Sequence, residues 1–377
     1  VSEEVVQRGQ IQKWADKAMF AAAPIDVSKG PQVELLSCNN DPLGTIAAAA
    51  KMYAGESVTS LSQITDAERR HYLADTRKNA LAAPLEFVNF HFIISGVTRG
   101  FTHQMVRQRT ATYTQESTRF AVKEDVPVGY PPSLDGTMSW DDWWEKCGGE
   151  LFPILISELN EHQIEMVDDY AKSRASQAQN WRREWDGGVN WISQKYNILV
   201  NSGMPAEDAR GLLPTNLLTR INYNTSLRGL LEHSGLRLCT QAQFEWRLVW
   251  ARIKEAIVSY GLGQKYLVYE PSAQAPNMRN GMDDGLGDIV YECDSDWQFD
   301  ELSTIFKPIC YQKGECQFLS DIDRHCTIRE RVQLNADMHR PSTEWDVVGT
   351  QAGTNLRVAP IADEEWMLDP TSARVSQ

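Results

Sequence analysis

Residues 101–120 read FTHQMVRQRTATYTQESTRF. They place Gln104, Arg107, Arg109, Ser117 and Arg119 within sixteen residues, with Thr110, Thr112 and Thr114 between them. No acid occurs from 101 to 115. Guanidinium forks and hydroxyl donors are what a cluster of phosphate oxygens needs. A solvated polar loop would have a similar composition, because such loops are common on protein surfaces. The rest of the chain sharpens the contrast: 37 basic and 51 acidic residues leave a formal charge of −14. That balance argues against a general grip on nucleic acid, where a basic face is expected. It leaves room for a small anion held in a local positive pocket.

Working outward, residues 101–109 suit a short helix. Residues 110–119 have no apolar period and five Ser/Thr residues, which predicts a loop. Upstream, 33–38 (VELLSC) reads as a short strand. Residues 43–82 read as helical, with an alanine run at 47–50 and a second start at Asp66. Pro84 breaks that pattern, and 86–95 (EFVNFHFIIS) alternates as a strand does.

Downstream, 124–137 holds three prolines and two glycines and reads as an exposed connection. A Trp-rich region, 140–203, reads as helical with an interruption at Gly187-Gly188. Pro205 opens another helix with proline in its first turn. A further helix is expected from Thr240, with Thr240 and Gln243 as a capping box. On it Trp246, Val249, Ile253, Ile257 and Tyr260 share a face, and Gly261 and Gly263 end it. After Gly263 the texture turns to Gly, Asp, Asn and Pro.

Hydrophobic residues make up 42% and charged residues 23% of the 377, enough to bury a real core and ordinary for a globular protein. The first twenty residues carry charges throughout, and no run approaches the roughly 18 apolar residues of a membrane span. With seven cysteines, reduced thiols in a cytoplasmic setting are the expectation, either bacterial or that of a phage host. Dinucleotide, triphosphate, zinc-protease and nucleophile-elbow motifs are absent. Cys293, Cys310, Cys316, Cys326 and His325 do not have a standard zinc spacing, so no metal site is expected. Glu364-Glu365-Trp366-Met367-Leu368 reads as a docking helix.

Two ordered segments carry a resemblance. Arg107-Gln108-Arg109, followed by seven residues and Ser117, resembles the Arg-His-Arg signature of the flavin-dependent thymidylate synthases. About ninety residues on, Ala209-Arg210-Gly211-Leu212-Leu213-Pro214 resembles the Ala-Arg-x-x-Leu-Pro segment of the same family. Arg228, Leu236-Arg237 and Gln241-Ala242-Gln243-Phe244-Glu245 follow in register. The resemblance covers roughly 33–262.

The resemblance implies an α+β fold: a mixed sheet with flanking helices and a C-terminal extension. It divides the chain into an N-terminal segment 1–32, a catalytic domain 33–265 containing the Trp-rich segment 122–204, and an extension 266–377. It implies synthesis of dTMP from dUMP with FAD as cofactor and NADPH and methylene-tetrahydrofolate as co-substrates, without a covalent cysteine nucleophile. Gln104, Ser117, Arg119 and Arg210 would hold the nucleotide, chiefly its phosphate. Arg237 would reach the pyrimidine or its phosphate and act catalytically. Arg107, Gln108, Arg109, Gln115, Ser226, Arg228 and Glu232 would lie along the flavin. The partners implied are a small nucleotide, a folate and further copies of the chain in a homotetramer with shared active sites, with no nucleic acid and no membrane.

The departures from the pattern fall on the flavin and folate side. Gln108 replaces a histidine and cannot titrate. Glu86-Phe87 stands for Glu-His, 79–83 (NALAA) lacks a histidine, and Ser226 and Glu232 stand where asparagines are usual. A carboxylate at 232 facing the ring would accept from a cytosine amino group and repel a uracil carbonyl. A dCMP-directed enzyme, a hydroxymethylase, and a nucleotide-binding homologue without catalysis are therefore the alternatives.

Overall fold

The computed structural model describes residues 20–21, 25, 30–78, 82–123, 126–131, 134, 138–139, 161–239, 242–271, 282–283, 288–313 and 372–373. Its centre is a four-stranded sheet. Strand β1 spans Gln32–Ser37. Helices α1 (Pro42–Lys51) and α2 (Asp66–Lys78) follow, joined through 3-10 turns, and the second begins at Asp66, where the sequence placed a second helix start. Asp41 caps α1 by accepting from the backbone N–H of Gly44 at 2.9 Å. Strand β2 (Asn89–Thr98) and helix α3 (Arg99–Met105) come next, joined at Thr98, whose Oγ accepts from the N–H of Phe101.

Residues 111–115 form strand β3, not the loop expected from their polarity. Ala111, Tyr113 and Gln115 turn half-inward, and Thr112 and Thr114 face solvent. This is the pattern of an edge strand, and β-branched threonine suits it. Helix α4 runs unbroken from Glu161 to Asn201. Gly187 and Gly188 do not interrupt it, because an internal glycine costs a helix only about 1 kcal/mol and blocks no hydrogen bond. The part of the Trp-rich region from 140 to 160 lies outside the described residues. Helix α5 (Ala206–Ala209) is a single turn, with Pro205 at its N-cap. Strand β4 (Leu218–Ser226) runs into helix α6 (Leu227–Arg237).

The strand order is β1-β2-β4-β3. Every pair is antiparallel, so the sheet is not mixed. Strands β2 and β3 run in the same direction, but β4 lies between them and opposes both. Tyr223 on β4 faces Phe92 on one side and Tyr113 on the other.

Helix α7 spans Phe244–Gly261. It begins later than a Thr240 cap would place it, with Gln243 at the N-cap; Thr240 lies outside the described residues. Its predicted face is the buried one: Trp246, Val249, Ile253 and Ile257 join Phe90, Phe92 and Tyr223 in the main core. Strands β5 (Lys265–Pro271) and β6 (Asp288–Asp294) pair antiparallel, and helix α8 (Asp296–Thr304) returns against α7. Gly261 permits that approach, since a Cβ there would lie 2.6 Å from the side chain of Phe299. Phe299, Leu302, Phe306 and Cys310 extend the same core.

Candidate functional site

The residues proposed for the nucleotide fall into two hydrogen-bonded groups. The first lies where β3 ends. Arg119 and Glu207 form a two-pronged ion pair, with Nε to Oε1 at 2.8 Å and Nη2 to Oε2 at 3.2 Å. Both side chains are about half exposed. Arg210 donates from Nε to the backbone carbonyl of Glu207 at 3.1 Å. Ser117 Oγ accepts from the N–H of Arg119 at 3.2 Å. Glu116 anchors the neighbouring cations. Its Oε1 accepts from buried Lys123 at 2.8 Å and lies 3.8 Å from Arg220, and its carbonyl accepts from Arg99 at 3.1 Å. Burial, followed by the nearby charge of Arg210, lowers the pKa of Arg99. Five cations thus gather around two carboxylates, which suits a multiply charged anion. Arg99, Lys123 and Arg220 were not singled out in the sequence. They are scattered along it, and only β4 and the start of α3 bring them together.

The second group surrounds Arg237, the last residue of α6. Its guanidinium lies over Trp246, 4.9 Å from the ring, and donates from Nη1 to Gln104 Oε1 at 3.4 Å. Its Nε is buried without a partner among the described residues. Burial lowers its pKa. Trp246 Nε1 donates to the same Gln104 oxygen at 3.0 Å. Gln104 thus sits with Arg237 and not with Arg119. His233, one turn before Arg237, is buried between Tyr223, Trp246 and Trp250. Burial first, and the charge of Arg237 second, push its pKa down to about 3.

The residues proposed for the flavin divide too. Arg107 and Arg109 are exposed and form no ion pair among the described residues. Gln108 is turned inward. Its Oε1 accepts from the Tyr223 hydroxyl at 2.8 Å, and its Nε2 donates to the carbonyl of Gly229 at 3.0 Å. Gln115 donates to Thr102 Oγ1 at 2.7 Å, which fastens β3 to α3. Ser226 caps α6 and donates to Glu86 at 2.6 Å. Arg228 lies 3.5 Å from Glu86 and donates to Glu232 at 3.1 Å. Glu232 is therefore the i+4 partner of a helix ion pair. The exposed guanidiniums at 107 and 109 are open to an anionic group. The carboxylates of Glu86 and Glu232 leave Arg228 less positive than it would be alone.

Among the described residues, no group of three or more His, Cys, Asp or Glu is placed to hold a metal. Cys293 and Cys310 form no disulfide. Cys316, Cys326, His325 and residues 364–368 lie outside the described residues. No described helix is long and apolar enough to cross a membrane.

A family model described as "Thymidylate synthase complementing protein" matches residues 34–259. The flavin-dependent thymidylate synthase of Pyrococcus furiosus is 29% identical over 227 residues, covering 59% of this chain and 78% of that protein. The enzyme of the same name from Sulfolobus acidocaldarius is also 29% identical over 227 residues, covering 59% and 72%. Among solved structures, a UMP/dUMP methylase from Streptomyces cacaoi bound with 5-Br dUMP superposes on 63% of this chain and 91% of its own, with 17% identity and a TM-score of 0.44. The matched span takes in strands β2, β3 and β4, most of β1, both arginine segments and Arg237, and the chain belongs to the thymidylate synthase complementing family, the flavin-dependent thymidylate synthases.

Proposed function

We propose that this protein transfers a one-carbon unit to C5 of a deoxypyrimidine monophosphate, converting dUMP to dTMP. Methylene-tetrahydrofolate would give the carbon and NADPH the electrons, with FAD as the bound cofactor. Beyond family membership, one observation carries the reading: the short helix α3 touches both groups, since its first residue, Arg99, joins the cation group through Glu116 and Gln104, near its end, bonds Arg237. One end suits a phosphate and the other a polar ring.

The roles follow from the chemistry of the side chains. Arg119 and Arg210 would take the phosphate, with Ser117 beside them. Anchoring there turns binding energy into orientation of the ring. Arg237 is half-buried against Trp246 and never titrates near neutral pH. It would stabilise negative charge developing on a ring carbonyl oxygen as C5 becomes nucleophilic, without moving a proton. Arg107 and Arg109 would hold the flavin's phosphates. When bound and reduced, the flavin supplies the hydride that completes the methyl group. The chain is expected to work in the cytoplasm, self-associated as a homotetramer, with the two groups completed by neighbouring subunits.

The test is a product mass spectrum. Purified protein is incubated with FAD, NADPH, methylene-tetrahydrofolate and equal dUMP and dCMP. We expect thymidylate. A hydroxymethylated or cytosine-derived product would replace this reading with a redirected enzyme on the same scaffold. No product and no retained flavin would replace it with a nucleotide-binding homologue.

A further inference from the structure

We infer that helix α4 carries a self-complementary seam on which a second copy of this chain docks antiparallel, with Trp191 of one protomer seated over Gly188 of the other. The inference rests on the self-association proposed above, for which it names a surface, and not on the nucleotide chemistry.

One face of α4 is used by its own chain. Ala178 and Tyr196 are buried. Val189 and Leu199 join Tyr196 in a cluster with Val126, Val128 and Leu217. A second face is open. Trp181, Glu184, Gly188, Trp191, Lys195 and Ile198 are all exposed, and they follow one another at spacings of 3, 4, 3, 4 and 3 residues. That is the repeat of a coiled-coil seam. Trp191 is 56% and Ile198 57% exposed. Arg183, Asn190 and Gln194 occupy the remaining side of the helix, so the exposed apolar residues are gathered and not scattered.

Gly188 breaks the seam's bulk. Glycine is a poor helix former, and here it sits well inside a helix. A Cβ at 188 would meet nothing within 4 Å, so the residue leaves a notch beside Trp191. Glu184 forms no ion pair among the described residues, and neither does Lys195, whose Nζ lies 5.8 Å from the centre of the Trp191 ring.

The seam fits itself in one direction. Set antiparallel about a two-fold axis between residues 189 and 190, Gly188 faces the partner's Trp191, Glu184 faces the partner's Lys195, and Trp181 faces the partner's Ile198. Every contact then occurs twice, as a two-fold interface requires. Set parallel in register, Glu184 would face glutamate, Lys195 would face lysine, and the glycines would face each other across a void. Like charges and unfilled space count against that arrangement. One operation thus supplies the charge that Glu184 lacks, the seat for Trp191 and the cover for Ile198, and this points to a second copy as the occupant.

The test is zero-length carbodiimide coupling of the full chain, read by peptide mass spectrometry, beside sedimentation of the same sample. Glu184 and Lys195 are about 16 Å apart along one helix, too far to couple within a chain. An amide between them, carried in a band of twice the chain mass, therefore joins two copies, and we expect to find it. Gly188→Leu favours the helix but fills the notch. Its melting temperature should hold while the yield of the amide falls at least tenfold. A chain carrying both E184K and K195E exchanges the charges and should again couple the same two positions. A self-associated native chain without the 184–195 amide overturns the inference and leaves self-association standing. So does an amide that survives Gly188→Leu undiminished. Lys195 coupled instead to an acid of its own chain would mean that the chain covers this face itself, and also overturns the inference. A native chain that sediments as a monomer overturns both.

Discussion

The side-chain oxygen of Gln108 accepts the Tyr223 hydroxyl at 2.8 Å, and this bond ties the middle of the arginine signature to the central strand of the sheet. Tyr223 is fully buried, stacked on Tyr113 at 5.5 Å. Burial raises its pKa, so the hydroxyl stays protonated and must donate. Gln108 answers that donor and closes onto Gly229 with its own amide. Its inward turn coincides with the outward exposure of Arg107 and Arg109 on either side.

Gln108→Ala should therefore destabilise the protein by about 1–3 kcal/mol, the cost of leaving a buried hydroxyl unsatisfied. Gln108→His should cost less, because a neutral imidazole keeps one donor and one acceptor. Denaturant unfolding of the two variants checks this. If alanine proves as harmless as histidine, Gln108 is not a latch.

Asp41 and Arg69 make the second structural prediction. The guanidinium of Arg69 is fully buried and meets Asp41 at 3.0 Å and 2.6 Å. It also donates to the carbonyls of Leu61 and Ile64 and lies 4.4 Å from the ring of Tyr266. Asp41 is the α1 cap as well. Removing one partner strands a buried charge, so Asp41→Ala should cost about 3–5 kcal/mol. Replacing both residues by apolar ones of similar volume should cost less than either single change, apart from the lost cap. A double-mutant cycle in denaturant measures this, and simple additivity would show that the pair is not coupled.

How much of this was legible in the sequence depended on the range of the forces involved. The buried face of α7 was readable from Trp246, Val249, Ile253 and Ile257, because a helical period is a local signal. Strand β4 was not. Its alternation runs through Thr219, Ile221, Tyr223 and Thr225, and buried threonines do not look apolar. Strand β3 was missed for a different reason: Thr112 and Thr114 face solvent and only Ala111, Tyr113 and Gln115 turn half-inward, so the segment shows no run of apolar residues. Arg119, Arg210 and Arg237 were singled out through spacing, but spacing could not show that Gln104 sits with Arg237 and not with Arg119, because its partners Trp246 and Gln243 are about 140 residues away. Gln108 and Ser226 were read as ligand contacts, and their side chains are used by the fold: one on Tyr223, the other on the α6 cap and Glu86.

His233 gives a pH dependence. Both ring nitrogens are buried without a partner among the described residues, and its pKa lies near 3 in the fold against about 6.5 when unfolded. The unfolded chain therefore binds more protons between those values. Stability from this site is complete above about pH 6.5 and is lost as pH falls towards 3, by up to about 1.4 kcal/mol per pH unit. His233→Phe should flatten that part of the profile. Denaturant midpoints at pH 7, 6, 5 and 4 for both proteins test it, and parallel profiles would locate the acid sensitivity elsewhere.

Glu207 occupies Arg119 in the way a phosphate would, with two oxygens on one guanidinium. The pair is about half exposed, so its contribution to stability is small, of order 0–1 kcal/mol. Its effect on binding should be larger, because an incoming phosphate must displace the carboxylate and then sit near its charge. Glu207→Gln keeps the shape and removes the charge. It leaves Arg210 in place, since that residue bonds the backbone of Glu207 and not its side chain. The variant should fold normally and bind dUMP several-fold more tightly, with the gain shrinking as salt is raised. Arg119→Gln should weaken binding about tenfold or more. Calorimetric titration of dUMP into both variants at low and high salt decides the matter. Loss of affinity in Arg119→Gln with no gain in Glu207→Gln would mean that the carboxylate moves aside without cost, and Glu207 would then have no part in setting the strength of the phosphate site.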